Sequence, residues 1–229
     1  MTTPQFDNYS QDYDVQLNRG LAVTGESKEY YALGRMQRVA KVLSCMNTEI
    51  TSVLDYGCGI GNATPLFFEI LKARHVIGVD VSSESLKIAR EQFGNYSVHF
   101  ELIEKFTPER NLDLVFCNGV FHHIPVAERS AAVDYIRRSL KPGGLFAFWE
   151  NNPWNPGTRY VMSKVPFDRD AIMLSPFSAR KMLSREGFQI LRTEYCFFFP
   201  RLLKPLRPLE PLLTQLPFGG QYLLLAQAE

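Results

Sequence analysis

The chain has 229 residues, 45% of them hydrophobic, and a formal net charge of +1. That length suits one α/β domain with attachments better than two full domains, and that apolar share is enough for a real core. With charges balanced and no long run of Lys or Arg, the sequence lacks the basic patch that binding nucleic acid through its phosphates requires, so no nucleic-acid partner is expected. Cys45, Cys58, Cys117 and Cys196 are too scattered for a zinc knuckle or a redox pair and read as free thiols in a reducing compartment. The polar N-terminus has no basic region and no apolar run of the leader type. No stretch approaches the roughly 18 consecutive apolar residues of a membrane span. The expectation is a soluble, cytoplasmic protein.

Residues 1–47 read as an N-terminal helical cap. It is aromatic early (Phe6, Tyr9, Tyr13) and periodic later, where Leu33, Met36, Val39, Ala40 and Leu43 share a helix face. From Ser52 short apolar runs alternate with helical patterns. The strand candidates are Ser52–Tyr56, His75–Val79, Ser97–Leu102, Leu112–Cys117, Leu145–Trp149, Phe188–Phe198 and Gln221–Gln227. Helices fit at Ala63–Lys72, Ser83–Phe93, Val126–Ser139 and Ser178–Glu186. This alternation implies parallel βαβ units, hence an α/β doubly wound sheet with helices on both faces over residues 48–229. Two insertions break the rhythm. Residues 150–177 contain Pro153, Pro156, Pro166 and Pro176 and no clear strand. Residues 199–218 are rich in Pro and Leu. Long connections of this kind are often binding elements.

Val53-Leu-Asp-Tyr-Gly-Cys-Gly-Ile-Gly-Asn62 runs from a strand into a glycine loop and then a helix. Glycines let the backbone turn tightly and bring peptide N–H groups near a ligand. The dinucleotide pattern G-x-G-x-x-G does not fit, because the third glycine would fall on Asn62 or Thr64. Asp-x-Gly-x-Gly-x-Gly does fit, and it resembles the first motif of the class I S-adenosylmethionine (SAM) dependent methyltransferases. The resemblance runs from about residue 50 to 150 and more loosely to the C-terminus. It implies a Rossmann-like seven-stranded sheet with the last strand antiparallel, and SAM as cofactor. Asp55, Tyr56, Gly57, Cys58 and Gly59 would form the loop, with Asp55 toward the methionine ammonium. Asp80, about 20 residues beyond the loop, ends a second apolar strand where an acid meets ribose hydroxyls, with Val81 beside it. Glu104 stands where relatives place an Asp for the adenine amine, a departure from the pattern. Asn118, in Asn-Gly-Val-Phe-His-His-Ile-Pro125, would line the methionine end. Arg35 is a candidate for the SAM carboxylate, since guanidinium matches carboxylate in two-point geometry.

Methyl transfer from a sulfonium is an in-line displacement whose donor is already activated. The protein mainly positions the acceptor and sometimes removes its proton. A histidine can do this near neutral pH, so His122 or His123 is the candidate general base, with Glu150 a rival. Tyr13, Asn152, Trp154 and Arg159 are the candidate acceptor contacts, set among Glu150–Arg159 and Val165–Asp170. No carboxylate pair resembles a catechol-type magnesium site, so no metal is expected. The stretch after the fourth strand is not the Asn-Pro-Pro-Tyr of enzymes that methylate amino groups of DNA or protein. A small-molecule acceptor, methylated on oxygen before nitrogen or carbon, is the first expectation. A protein or RNA acceptor, and a SAM-binding scaffold without transfer activity, are the alternatives. Phe197–Arg207 could cover a lipid-like substrate or touch a membrane surface, but a segment packed on the sheet edge is the preferred reading there. Oligomeric state is left open.

Overall fold

The structure is a computed structural model that describes residues 13–168 and 171–229. Phe6 and Tyr9 lie outside the described residues, as do the side chain of Tyr13 and the whole of Arg169 and Asp170. Seven strands form one sheet: β1 (Ser52–Tyr56), β2 (His75–Asp80), β3 (Val98–Leu102), β4 (Leu112–Asn118), β5 (Leu140–Asn151), β6 (Phe188–Cys196) and β7 (Gln221–Ala228). Their order is β3-β2-β1-β4-β5-β7-β6. The first five pair in parallel, and β7 inserts antiparallel between β5 and β6. The doubly wound sheet with an antiparallel last strand is therefore the observed architecture. Order reverses between β1 and β4, where neighbouring connections leave in opposite directions and open a crevice at the strands' C-terminal ends.

Both faces are covered. On one, α5 (Arg129–Ser139) and α7 (Pro176–Arg185) pack Val133, Ile136, Ala179 and Leu183 against Tyr56, Phe146 and Phe148. On the other, α2 (Lys28–Cys45) and α3 (Thr64–Glu69) bring Met36, Val39, Leu43 and Phe67 onto Val53, Leu114 and Trp149. A third cluster seats α4 (Ser83–Phe93) on β3 through Leu86, Ala89 and Phe100. Burying such a side chain fully is worth roughly 1.5–3 kcal/mol. The apolar stripe read from Leu33 to Leu43 is thus the inner face of a helical layer, although Leu33 itself is exposed. Ahead of α2 lies α1 (Tyr13–Leu21), which meets α6 (Pro156–Lys164) from the first insertion. No helix among the described residues is long and apolar enough to cross a membrane.

Some bounds differ from the sequence expectation. The helix after the glycine loop spans only Thr64–Glu69, because Pro65 starts it and the chain turns through a positive φ at Lys72. β6 stops at Cys196, because Phe197 takes φ 62°, a left-handed conformation that turns the chain off the sheet. The first insertion contains a real helix, α6, capped by the Asn155 side chain, which accepts from Thr158 N. The second folds as a 3-10 segment, Arg201–Leu209, followed by the single-turn α8 (Glu210–Leu213).

At the N-terminal end of the strands, away from the crevice, Asp113 on β4 ties three strands together. Its Oδ2 accepts from the amides and hydroxyls of Thr51 and Ser52 at 2.7–3.0 Å, and its Oδ1 meets Lys141 Nζ at 2.5 Å. Burial opposes its charge, but Lys141 and these donors outweigh it and hold the carboxyl below the usual range. A depressed folded pKa contributes stability that is present above the unfolded value and lost as pH falls through the folded one. Asp113→Ala is expected to lower the unfolding free energy by about 2–4 kcal/mol at pH 7. Urea titration should show that deficit shrinking toward acid pH.

Candidate functional site

The crevice holds a cavity of about 1010 Å³, at the upper end of the roughly 300–1,000 Å³ usual for small-molecule sites. The glycine loop forms its floor. Gly57, Gly59 and Gly61 all have positive φ. A Cβ on Gly57 would collide with Val120 at 2.4 Å, and one on Gly61 with Phe93 at 2.9 Å, whereas one on Gly59 would meet nothing within 4 Å. Two glycines are therefore demanded by packing, and the middle one leaves its face open to the cavity. The loop is held from behind by Gly57 N and Cys58 N, which both donate to Val79 O at 2.8 and 3.0 Å.

Asp80 also braces the loop, which the sequence did not signal: its Oδ2 accepts from Gly59 N at 2.8 Å and its Oδ1 from Ser82 N at 2.9 Å. Asp55 lies at the end of β1 in the same cavity and is buried. Burial first, and then the nearby Asp80 charge, push its carboxyl up to about 8, against the pull of Arg35. Such a carboxyl favours a ligand that brings positive charge. Arg35, Val81, Glu104 and Asn118 also line this cavity. Arg35 Nη1 donates to Gln221 Oε1 at 3.0 Å. Glu104 is exposed at the turn after β3, so it can reach the cavity only from the rim. Two loop side chains point elsewhere: Tyr56 packs among Phe121 and Tyr135, and Cys58 against Leu86 and Phe100.

A second cavity, about 380 Å³, adjoins the first. Leu17, Lys28, Arg35, Asn118, Gly119 and His123 line both. Its far wall comes from Thr158 and Tyr160 on α6, from Phe167 and Asp168, and from Phe197–Pro200. Here three sequence expectations are corrected. Asn152 is fully buried and pins the second insertion, donating to Pro217 O at 3.0 Å and Gly219 O at 2.8 Å, so it has no capacity left for an acceptor. Trp154 is 50% exposed, tilted toward Tyr195, and borders neither cavity. Arg159 is exposed on α6 and also borders neither; α6 lines the second cavity through Thr158, Tyr160, Val161 and Met162 instead.

The three catalytic candidates separate sharply. Glu150 is 1% exposed. Its Oε1 accepts from Phe121 N at 2.8 Å and its Oε2 pairs with His122 Nδ1 at 2.6 Å. It borders neither cavity and is not placed to act as a base. His122 is itself buried between two carboxylates, with Nε2 3.4 Å from Asp168 Oδ1. Burial disfavours its charge, yet Glu150 and Asp168 prevail and push its pKa up to about 10. An imidazole held protonated does not take up a proton. His123 alone of the three lines both cavities, with Nε2 3.2 Å from Asp168 Oδ1. Burial raises the Asp168 carboxyl, but the two histidines more than offset it, and its pKa lies below the usual value. Asp168 fell within a segment read as acceptor pocket, but nothing in sequence linked it to His123, which lies 45 positions away. Arg129 supports the arrangement by donating to Ile124 O at 2.9 Å and Ile172 O at 2.8 Å, joining the two loops. Among the described residues, His122, His123 and Asp168 form the one group whose donor atoms lie within 4.8 Å, close enough to take a metal ion. Both ring nitrogens of His122 already face carboxylates.

A parallel β3-β2-β1-β4-β5 sheet completed by β7-β6, with a glycine crevice at its reversal point, defines the methyltransferase fold of the Rossmann-like class. Residues 53–144 match the family model of a methyltransferase domain, and over that stretch the chain is similar to the class I SAM-dependent methyltransferases. It is 29% identical over 118 residues to a trans-aconitate 2-methyltransferase from Azoarcus sp., covering 52% of this chain and 46% of that protein. It is 26% identical over 138 residues to a malonyl-[acyl-carrier protein] O-methyltransferase from Ilyobacter polytropus, covering 58% and 52%. The chain spans about half the length of the curated relatives it matches. A SAM-dependent methyltransferase structure from Thermotoga maritima shares the fold, with a TM-score of 0.66 at 19% identity over 98% of both chains. Another, from Mesorhizobium loti, has a TM-score of 0.59 at 21% identity, over 82% of this chain and 96% of that one.

Breaking the buried His122–Glu150 pair strands one charge in the core. Glu150→Gln is expected to cost about 3–5 kcal/mol of stability. The sign of the pH dependence follows from the raised histidine. Its stabilising contribution is complete below the unfolded value of 6.5 and is lost as pH rises through about 10. Melting temperature should therefore fall between pH 7 and 10 in the parent protein, and fall less in Glu150→Gln.

Proposed function

We propose that this chain transfers the methyl group of SAM to a small organic acceptor, on oxygen in preference to nitrogen or carbon, in the reducing environment of the cytoplasm. The wall shared by two cavities carries this reading. The larger fits the cofactor: an open backbone face at Gly59, a buried Asp55 that favours a cation, and Asp80 at the end of β2. Asp55 would meet the methionine ammonium, Asp80 the ribose hydroxyls, Arg35 the carboxylate, Asn118 the methionine chain, and Glu104 the adenine edge from the rim. The backbone of residues 56–59, with Val81, would complete the cradle. The smaller cavity, about 380 Å³, suits a small acceptor better than a folded protein or RNA. The four free cysteines are what supports the reducing compartment.

SAM supplies an electrophilic methyl group on a sulfonium, so the protein's own part is positional and protic. Bound in the larger cavity, SAM would supply its methyl group to an acceptor oxygen, with the S–CH₃ electron pair left on sulfur. The hydroxyl proton passes to His123. Asp168, 3.2 Å from His123 Nε2, holds the ring against the wall that both cavities share, as an orienting carboxylate does in other base–carboxylate pairs. His122, kept protonated by Glu150, fixes Asp168 from behind. This dyad supports an oxygen acceptor, and the Ilyobacter relative is itself named an O-methyltransferase.

Calorimetry with SAM at pH 7 in buffers of different ionisation enthalpy tests the cofactor site. Binding should release about one proton as the Asp55 carboxyl ionises beside the ammonium. Asp55→Asn should abolish the release, and a parent protein that binds no SAM would sink the reading. For the chemistry, His123→Ala should lower kcat about 10²-fold with SAM affinity nearly unchanged. Asp168→Asn should lower kcat more than it raises the acceptor KM and should alter the pH profile. Labelled SAM incubated with lysate fractions separated by size should place the label at low mass. Label in protein or RNA would favour a macromolecular acceptor.

A further inference from the structure

The segment 199–218 is folded inside out for a water-exposed surface. Arg207, Glu210 and Thr214 are directed inward. Arg207 pairs with Glu26 at 2.8 Å, lies 4.5 Å over the Tyr30 ring, and donates to Phe199 O. Glu210 accepts from Phe198 N and Phe199 N at 3.2 and 3.0 Å. The Thr214 carbonyl accepts from Tyr195 N at 2.8 Å. These contacts fasten the segment to α2 and β6 and leave its leucines outside. Leu202 is 90% exposed, Leu212 80% and Phe218 65%, with Leu203, Leu206, Leu209 and Leu216 between 41% and 49%. Seven large apolar side chains within residues 202–218 greatly exceed the isolated exposed leucine of ordinary surfaces. The segment is fastened at β6, the edge strand of the sheet, as the preferred sequence reading had it, and its leucines still face outward.

Charge narrows what covers this face. Arg201 and Lys204 are exposed among the leucines. The one acid in the segment, Glu210, is half-buried and engaged with backbone amides. Exposed leucines interleaved with cations, and no exposed carboxylate, make the pattern of an element that lies in a lipid interface, apolar groups among the acyl chains and cations among anionic headgroups. A protein partner or a second copy would meet the same leucines but has no need of this one-signed rim. We infer that residues 201–218 dock the protein on an anionic lipid surface. Through Phe198, Phe199 and Pro200 the same stretch walls the second cavity, so docking brings that cavity to the bilayer.

Flotation with phosphatidylcholine vesicles, with and without phosphatidylglycerol, tests this inference on the intact chain. The parent protein should float with the anionic vesicles, weakly with the neutral ones, and less in high salt. Leu202→Glu with Leu212→Glu should reduce flotation about tenfold or more, since both side chains leave the apolar phase. Lys204→Glu should remove the preference for anionic lipid. Thermal unfolding and SAM calorimetry of each variant should match the parent, which separates loss of docking from loss of fold or cofactor site. Failure to float at low salt would overturn the inference. So would a concentration-dependent dimer, seen by light scattering, that the leucine variants abolish.

Discussion

A carboxylate sealed in a protein interior must be paired, because an isolated buried charge costs far more than a fold can spare. Glu150, at the end of β5, is such a group, and much of the site follows from the way it is satisfied. One oxygen takes the Phe121 amide and the other the His122 ring, which draws the loop after β4 against β5. His122 in turn faces Asp168 with its second nitrogen, and its carbonyl accepts from Ile172 N at 2.8 Å. The first insertion is thereby anchored over the crevice. His123, next in sequence but turned toward the cavities, is left as the imidazole with access to both.

The glycine loop meets a different demand with equal economy. Its backbone must reverse within a few residues and still present an open face. Gly57 and Gly61 lie against Val120 and Phe93 so closely that any side chain would displace a neighbour, while Gly59 opens outward. Asp80 accepts the Gly59 amide, so the acid that ends β2 shapes the loop as well as the cavity. Asp55 sits below with its charge suppressed by burial and by Asp80. A cation placed beside it would favour the ionised form.

The two insertions differ in how they treat polarity. The first turns hydrogen-bonding side chains inward, with Asn152 and Asn155 gripping the backbone at Pro217, Phe218 and Gly219. The second anchors itself through Arg207, Glu210 and the Thr214 carbonyl and keeps its leucines outside. The first is secured on β6 and β7 through Trp154 against Tyr195 and Leu174 O on Tyr222, the second on α2 and β6 through Arg207 over Tyr30 and Thr214 O on Tyr195 N, so both behave as parts of the fold. Phe197 is the pivot: its positive φ ends β6, and its ring enters a space that Gly34 on α2 leaves open, where a Cβ would come within 2.7 Å of it.

Local sequence was sufficient for whatever depends on neighbours along the chain. The alternation of apolar runs and helical patterns, the loop glycines, and Asp55 and Asp80 at strand ends are short-range features, and they carried the doubly wound sheet and the class of cofactor. β1 and α4 were legible to the residue because a strand before a glycine turn and a Ser-capped amphipathic helix are locally specified. Side-chain direction was not legible. Whether Glu150 or His123 meets the cavity, and whether Asn152 holds a substrate or the backbone near Pro217, depends on which distant groups fold beside them. The His123–Asp168 contact joins positions far apart in the chain, and the outward leucines of 199–218 depend on anchors at Glu26 and Tyr30. Periodicity and motif spacing describe the backbone's local choices. The pairing of buried charges is decided only when tertiary structure removes the water that would otherwise have solvated them.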